Sequence, residues 1–230
     1  MNDENGAARA NDDHRSLRAD VVQLAHACHA RGWAPATAGN FSVRRGDHIA
    51  ITASGKDKGA LDESGVVLLD LRGAMAEPSH ERASAETALH LALYRRDPSI
   101  GAVAHTHSLA GVVLSRRALR DAGAAARGAH VLLEDYELLK AFHGVHSHAH
   151  ALRVPVLANT QELDVLAGTL DAVLASTTHT PLVPAFLVAG HGAYTWGADL
   201  PTTLRHVEAL ETLLSYALEE ARLCGAREAP

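Results

Sequence analysis

The chain has 230 residues, a length that fits one large domain or two small ones, and one compact unit is the simpler interpretation. Hydrophobic residues make up 47% and charged residues 21%, a balance that excludes a disordered chain. The formal net charge of -6 argues against a nucleic-acid partner, because nucleic-acid binders usually carry an excess of lysine and arginine. Local chemistry must therefore hold the substrate.

The sequence also argues against a membrane or secreted protein. The longest run without charged residues, 172–198, is interrupted by prolines, so we predict a buried strand region there and not a membrane helix. No membrane partner is expected. The N-terminal residues lack the apolar segment of a signal peptide, and we expect 1–15 to form a flexible polar tail before a single domain at 16–230. Two cysteines, Cys28 and Cys224, give no disulfide framework, so a cytoplasmic location is expected.

Hydrophobic periodicity and turn residues predict helices and strands that alternate irregularly. In chain order, the predicted elements are a helix at 17–31, a hairpin of FSVRR and HIAITAS around Gly46-Asp47, a strand at 66–71, a helix at 84–96 with Ser84 as N-cap, a strand at 102–108, a helix through Arg120, a helical turn at DYELLKAF, a strand at RVPVL, a helix opened by Asn159 and ending near Ser176, a strand at 185–190 and a helix from about Thr202. With a hairpin among them, a mixed sheet covered by helices fits better than a doubly wound parallel sheet.

The 16 histidines direct attention to metal binding. His105 and His107 are two apart on a predicted strand, so both rings lie on the same face and form half of a zinc site. Catalytic zinc usually takes three protein ligands, so at least one more must come from elsewhere. His191 is favoured because glycines on both sides let the backbone come close to a ligand. The remaining candidates are His146, His148 and His150 of the HSHAH run, His179 and Glu86.

The HSHAH run has the same alternation as the first pair and could itself bind a metal. It lies in a polar stretch with no glycine-shaped pocket, and we interpret it mainly as a solvated loop.

Small-residue turns predict an anion site. AGNFS (38–42) and TASGK (52–56) expose backbone N–H groups and hydroxyls beside predicted strands, and Lys56 and Lys58 add positive charge. The predicted helix N-terminus at Ser84 is a second place that suits an anion. Each turn alone could be a simple turn, but together with a metal they favour a sugar-phosphate substrate.

A general acid or base is expected near LLEDYELLK. Glu134, Asp135 and Glu137 cluster there, and Tyr136 could also donate a proton. Periodicity does not choose among them.

Six segments together resemble the class II aldolase superfamily and, within it, the methylthioribulose-1-phosphate dehydratase branch: GWAPATAGNFSVR, ITASGKDKG, SAETALH, AVAHTHS, YELLKAFHG and HGAYTWG. The resemblance covers about 31–211. It implies a three-layer αβα sandwich around a central, mostly antiparallel sheet, and a homotetramer with active sites at subunit interfaces. Ser147-His148 departs from the branch, which has a Thr-His pair at that place.

The resemblance implies one Zn2+ per subunit on His105, His107 and His191, and an acid/base carboxylate at Glu137. Glu86 matches a carboxylate that, in the aldolases, binds zinc or moves protons. The implied phosphate contacts are Gly39, Asn40, Ser54, Gly55 and Ser84, beside the charge of Lys58.

The function that follows from the resemblance is zinc-dependent dehydration of 5-methylthioribulose 1-phosphate in methionine salvage. A sugar-phosphate aldolase is the first alternative, because metal and phosphate residues do not separate the two reactions. A non-catalytic, histidine-rich zinc-binding protein is the second, and it leaves the phosphate turns unexplained.

Overall fold

The structure, a computed structural model, describes residues 2–123, 128–176 and 183–227. The helices are α1 (Asn2–Ala30), α2 (Thr87–Arg96), α3 (Leu109–Ala122), α4 (Leu163–Ser176) and α5 (Leu200–Arg227), with 3-10 turns at Glu63–Gly65 and Glu137–Ala141. The strands are β1 (Asn40–Arg45), β2 (His48–Thr52), β3 (Val66–Asp70), β4 (Ala102–Thr106), β5 (Gly128–Glu134), β6 (Ala151–Leu157), β7 (Ala185–Val188) and β8 (Gly192–Gly197). Within the described ranges, no helix has the length and hydropathy needed to cross a membrane.

The eight strands form one sheet in the order β3-β2-β1-β4-β8-β7-β6-β5. The pairs β1–β2, β1–β4, β2–β3, β5–β6 and β7–β8 are antiparallel. The pair β6–β7 is parallel, with Val156 opposite Leu187 and Leu157 opposite Val188. This confirms the predicted fold class, a mixed α/β protein with a central, mostly antiparallel sheet.

The chain divides into two compact units, Met1–Thr106 with Gly197–Thr203, and His107–Trp196 with Leu204–Pro230. The first holds β1 to β4 with α1 and α2. The second holds β5 to β7 and nearly all of β8, with α3, α4 and most of α5. The flexible tail at 1–15 and the single domain at 16–230 stay predictions.

Helices cover both faces of the strands in the first unit, because successive residues of β1 point to opposite sides. On one face, the Ser42 hydroxyl contacts His90 of α2 at 2.7 Å. On the other, Arg45 donates to Asp20 of α1, and α1 also contacts β2 and β3. The strands lie between the two helices as the alternation requires.

The second unit has a hydrophobic core between strands and two helices. Leu133, Val154 and Leu187 of β5, β6 and β7 are fully buried and cluster with Ala110 of α3 and Leu210 of α5. Helix α4 contacts β6. Burial of these apolar side chains stabilises the unit.

Several predicted boundaries are corrected. Helix α2 begins at Thr87, so Ser84 is not its N-cap: the Ser84 carbonyl instead accepts from the Thr87 N–H and hydroxyl in a turn before the helix. The strand predicted over 102–108 ends at Thr106, because Ser108 caps α3.

Two strands were not predicted from the sequence, and two helices begin at residues other than the predicted ones. β5 is a strand at the end of the sheet, and β8 is buried along its whole length and bounded by glycines. Helix α1 begins at Asn2, well before the stripe that predicted it, in a segment with several alanines, which favour helix. Helix α4 begins at Leu163, later than a cap at Asn159 predicts.

Candidate metal centre

Four side chains that could bind a metal converge. The ligand atoms of Glu86, His105, His107 and His191 all lie within 4.8 Å of one another. Nitrogen and oxygen ligands of tetrahedral zinc lie about 3.4 Å apart, given metal distances of about 2.1 Å, so shifts of roughly 1 Å would close the group on one ion. Imidazoles and a carboxylate are also the donors that such ions use in catalytic sites. The residues present therefore fit a metal ion.

His105 is placed by a close backbone approach. It lies on β4, fully buried, opposite Asn40 of β1 in the strand register. The preceding Gly39 has a φ of +81°, and a Cβ there would lie 2.8 Å from the His105 carbonyl oxygen. Any side chain at this position would therefore push against the backbone of a candidate metal ligand.

His107 and His191 come from two turns. His107 follows the end of β4 and directly precedes Ser108, whose hydroxyl caps α3. His191 lies in the turn between β7 and β8, after Gly190, which has a φ of +67° and donates its N–H to Ser115 Oγ at 3.1 Å. The two imidazole rings lie edge to face with centroids 4.8 Å apart. Helix α3 thus supports both ligands.

Glu86 precedes α2 and brings the carboxylate of the group. Its Oε2 atom lies 3.3 Å from His105 Nε2 and accepts a hydrogen bond from Asn40 Nδ2. The negative charge lies beside the imidazoles, where it would favour a cation. Glu86 is therefore placed to bind a metal or to move a proton beside one.

A buried series of polar side chains extends away from Glu86. Asn40 Oδ1 lies 2.6 Å from His90 Nε2, His90 Nδ1 lies 2.7 Å from Ser42 Oγ, and Ser42 Oγ lies 2.7 Å from the Tyr94 hydroxyl. Burial lowers the pKa of His90 to about 4, so its ring is neutral at pH 7. His90, Ser42 and Tyr94 were not predicted from the sequence. The spacing would have pointed to them, since Glu86, His90 and Tyr94 are four residues apart, as on one face of a helix, and Asn40 and Ser42 are two residues apart, as on one face of a strand.

The segments that carry Ser54 and Ser84 lie side by side. The Ser54 N–H donates to the Arg82 carbonyl at 2.9 Å, and the Ser84 N–H donates to the Thr52 carbonyl at 3.2 Å. Ser84 Oγ also accepts the Glu86 N–H at 3.3 Å. Two of the predicted phosphate-binding residues are therefore neighbours of one another and of a metal-site carboxylate.

Lys58 joins the two predicted phosphate turns. Its ammonium donates to the carbonyls of Thr37 and Lys56 at 2.7 and 2.8 Å, and burial lowers its pKa. Its contacts therefore connect the second turn to Thr37, the residue that precedes the first turn. Ser54 and Gly55, by contrast, are exposed.

Glu137 is exposed and lies outside the four-ligand group. Its carboxylate pairs with Lys140 and lies 3.3 Å from His148 Nδ1. The hydrogen bond from Lys140 lowers the pKa of Glu137. Burial, together with the nearby Glu220 carboxylate, raises the pKa of the neighbouring Tyr136.

Within the described part of the chain, no histidine of the HSHAH run lies in the four-ligand group, although His148 contacts Glu137. His146 and His148 are exposed, as a solvated loop predicts. His179 lies outside the described residues.

Comparison with known proteins confirms the resemblance seen in the motifs. A family model described as Class II Aldolase and Adducin N-terminal domain matches residues 19–218. A methylthioribulose-1-phosphate dehydratase from Sorangium cellulosum is 48% identical over 209 residues, covering 90% of this chain and 94% of that protein. Another, from Parvibaculum lavamentivorans, is 46% identical, covering 87% and 92%. Among solved structures, an L-fuculose-1-phosphate aldolase from Thermus thermophilus matches with a TM-score of 0.66 at 27% identity, covering 93% and 97%.

Proposed function

We propose that this chain, which belongs to the class II aldolase and adducin N-terminal domain family, converts 5-methylthioribulose 1-phosphate to 2,3-diketo-5-methylthiopentyl 1-phosphate. The observation that carries the proposal is its identity of 42–48% to dehydratases named for this substrate, over about nine-tenths of the chain. The enzyme is then a hydro-lyase, and its place is methionine salvage.

The reaction needs no oxidant or reductant. A base takes the proton from C3, next to the C2 carbonyl, and the electron pair of that C–H bond forms the C3–C4 double bond as the C4 hydroxyl leaves. The hydroxyl takes up a proton and departs as water. The enol at C3 becomes a ketone when its hydroxyl loses a proton and C4 gains one, which gives the diketone.

We assign one zinc ion per subunit to His105, His107 and His191, with Glu86 beside them. When bound, the ion supplies a Lewis acid for the C2 oxygen of the substrate. The three imidazoles are neutral ligands, so they leave its positive charge available. Their support by β4, α3 and the β7–β8 turn keeps them in place before substrate arrives.

The phosphate is assigned to the two turns and the segment before α2. Backbone N–H groups and hydroxyls in small-residue turns suit phosphate oxygens. The pairing of the Ser54 and Ser84 segments supports this assignment, and Lys58 fixes the turns. The proposed phosphate-binding residues are Gly39, Asn40, Ser54, Gly55, Lys58 and Ser84.

Glu137 is assigned as the general acid/base. The hydrogen bond from Lys140 lowers its pKa, so the carboxylate is ionised at pH 7 and can accept a proton. Glu86 is the second carboxylate assigned to catalysis, because it lies beside His105. Tyr136 is the alternative proton donor, and Glu134 and Asp135 serve as controls.

We also propose a cytoplasmic homotetramer with active sites at subunit interfaces. The support is the family resemblance, together with a sequence that holds only two cysteines, Cys28 and Cys224, and so offers no disulfide framework.

The decisive experiment incubates the zinc-loaded protein with 5-methylthioribulose 1-phosphate and follows the diketone product by mass spectrometry. We expect a product that is lighter than the substrate by the mass of a water molecule. Removal of zinc by a chelator should stop the reaction, and added zinc should restore it. Failure of the loaded enzyme to form the diketone would reject the proposal.

A sugar-phosphate aldolase is the second candidate, favoured by the Thermus thermophilus structure. It would break the C3–C4 bond instead and release dihydroxyacetone phosphate from L-fuculose 1-phosphate. The same preparation, tested with both substrates, separates the two reactions.

A further inference from the structure

The polar side chains that extend from Glu86 form a network in which all hydrogen bonds run in the same direction, from donor to acceptor. We name Asn40, His90, Ser42 and Tyr94 the polar network. An ionised carboxylate only accepts hydrogen bonds, so the atom of Asn40 that faces Glu86 is the amide nitrogen. The amide oxygen of Asn40 then faces His90 Nε2 and accepts its proton at 2.6 Å.

The same logic orients the rest of the network. With its proton on Nε2, the neutral His90 ring accepts at Nδ1, so the Ser42 hydroxyl donates there. Ser42 Oγ then accepts from the Tyr94 hydroxyl, and the Tyr94 oxygen accepts the backbone N–H of Val103. Every hydrogen bond therefore points towards the carboxylate.

Water has little access to this network. His90 and Ser42 are 0% exposed, Tyr94 is 1% exposed and Asn40 is 4% exposed. In a buried environment, aligned hydrogen bonds polarise and strengthen one another. The network thus fixes where the Glu86 carboxylate lies.

We propose that the polar network positions the Glu86 carboxylate against His105 and thereby sets the metal affinity of the site. Its members are positioning residues, because they act on the metal through Glu86. The inference rests on the proposed function only in taking Glu86 and His105 as part of the metal site. The hydrogen bonds of the network lie within Met1–Thr106, with its outer end on the backbone of β4, the strand that carries His105.

The test measures Zn2+ affinity without substrate, by competition with a chromophoric chelator, for single variants along the network. We expect a loss of about 10- to 100-fold for His90→Phe, which removes both the donor and the acceptor of the ring. Ser42→Ala and the more distant Tyr94→Phe should lose less, in that order. His90→Gln keeps one donor and one acceptor, and it should recover part of the loss.

A matched control separates positioning from plain structural support. Thr203 is also fully buried, and its hydroxyl donates to the Asp199 carbonyl at 2.8 Å and lies 3.3 Å from the Ala102 carbonyl. Thr203→Val should lower the melting temperature about as much as Tyr94→Phe does, yet leave Zn2+ affinity within about 2-fold of the parent.

The kinetic readout should agree with the binding data. In zinc-saturated enzyme, Tyr94→Phe should lower kcat and leave KM for the substrate nearly unchanged, because the Tyr94 hydroxyl contacts Ser42 and the Val103 backbone and none of the proposed phosphate-binding residues.

Two results would overturn the inference. One is folded Ser42→Ala and Tyr94→Phe proteins with Zn2+ affinity equal to that of the parent. The other is an equal loss in Thr203→Val, which would make the effect one of general stability. These variants carry the test even where His90→Phe does not fold. Because affinity is measured without substrate, absence of dehydratase activity would reject the proposed function and leave this test intact.

Discussion

The Oε2 atom of Glu86 lies 3.3 Å from the Nε2 atom of His105, an imidazole that is fully buried. A buried imidazole has no water to satisfy its ring nitrogen, so its partner must come from the protein or from a bound ion. A carboxylate at this distance can share a metal ion with it. The pair is therefore the structural core of the proposed metal site.

Replacing Glu86 with glutamine should weaken metal binding. The amide keeps the shape of the side chain but removes the negative charge beside His105, so Zn2+ affinity should fall by about 10- to 100-fold. Equilibrium dialysis with metal analysis measures the change. Glu219→Gln, at an exposed site on α5, removes the same charge and should bind as the parent does. Equal affinity in both variants would contradict a role for Glu86 at the metal.

His191→Ala should abolish metal binding and activity together, because the remaining imidazoles cannot complete a three-histidine site. His146→Ala is the matched control, since His146 is exposed and lies outside the four-ligand group. It should keep both metal and activity. Full zinc occupancy in the His191→Ala protein, measured by atomic absorption, would reject the ligand assignment.

The sequence predicted those parts of the fold that depend on short-range order. The Gly46-Asp47 turn and the alternation on either side place β1 and β2 correctly, because a two-residue turn fixes the hairpin register. The start of α2 was predicted in the wrong place, since Ser84 is a good capping residue that is instead used in a turn. β5 was missed because Leu132 is exposed between the buried Val131 and Leu133, so an apolar residue hides the alternation.

For the candidate site, periodicity predicted that His105 and His107 lie on one face, and flanking glycines singled out His191; all three join the group that could hold a metal, and their role as zinc ligands stays a prediction. The position of Glu86 beside His105 needed the tertiary structure, because the two residues are far apart in the sequence and lie on different elements. His90 was missed for the same reason: its partners on β1 are distant in the sequence and adjacent only in the folded sheet.

Gly39→Ala should destabilise the protein more than Gly46→Ala does. Both glycines have positive φ, at +81° and +56°, so each alanine costs about 1 to 2 kcal/mol of backbone strain. At Gly39 the new methyl would also lie 2.8 Å from the His105 carbonyl, whereas at Gly46 nothing lies within 4 Å. Urea unfolding gives the comparison. The Gly39 variant should also bind zinc less tightly, and equal stability of the two would contradict the close approach.

Stability should fall as the pH drops from about 6.5 to 4. The pKa of His90 is about 4 in the folded protein because of burial, and about 6.5 when unfolded. Between these values only the unfolded state takes up the proton, so acid favours unfolding, by up to roughly 3 kcal/mol at pH 4. Urea unfolding in the presence of a chelator, across this pH range, measures the slope. His90→Gln should have a shallower slope than the parent, and identical slopes would contradict a neutral, buried ring.

Glu137 is either a catalytic carboxylate or an ordinary surface charge. It is exposed, its pKa is lowered by the hydrogen bond from Lys140, and it contacts His148 of the HSHAH run. A surface charge of this kind contributes little to folding, so Glu137→Gln should leave stability within about 0.5 kcal/mol of the parent under either interpretation. Activity is therefore the readout that separates them.

As the acid/base, Glu137 should be needed for turnover, because an amide keeps its shape but accepts no proton. We expect Glu137→Gln to fold normally, bind zinc fully and turn over at least about 100-fold more slowly. Glu134→Gln, three residues earlier and also exposed, is the matched control and should turn over as the parent does. Steady-state rates of the diketone product, with zinc content measured on the same samples, give the comparison. Near-normal rates in both variants would move the acid/base role to Glu86 or Tyr136.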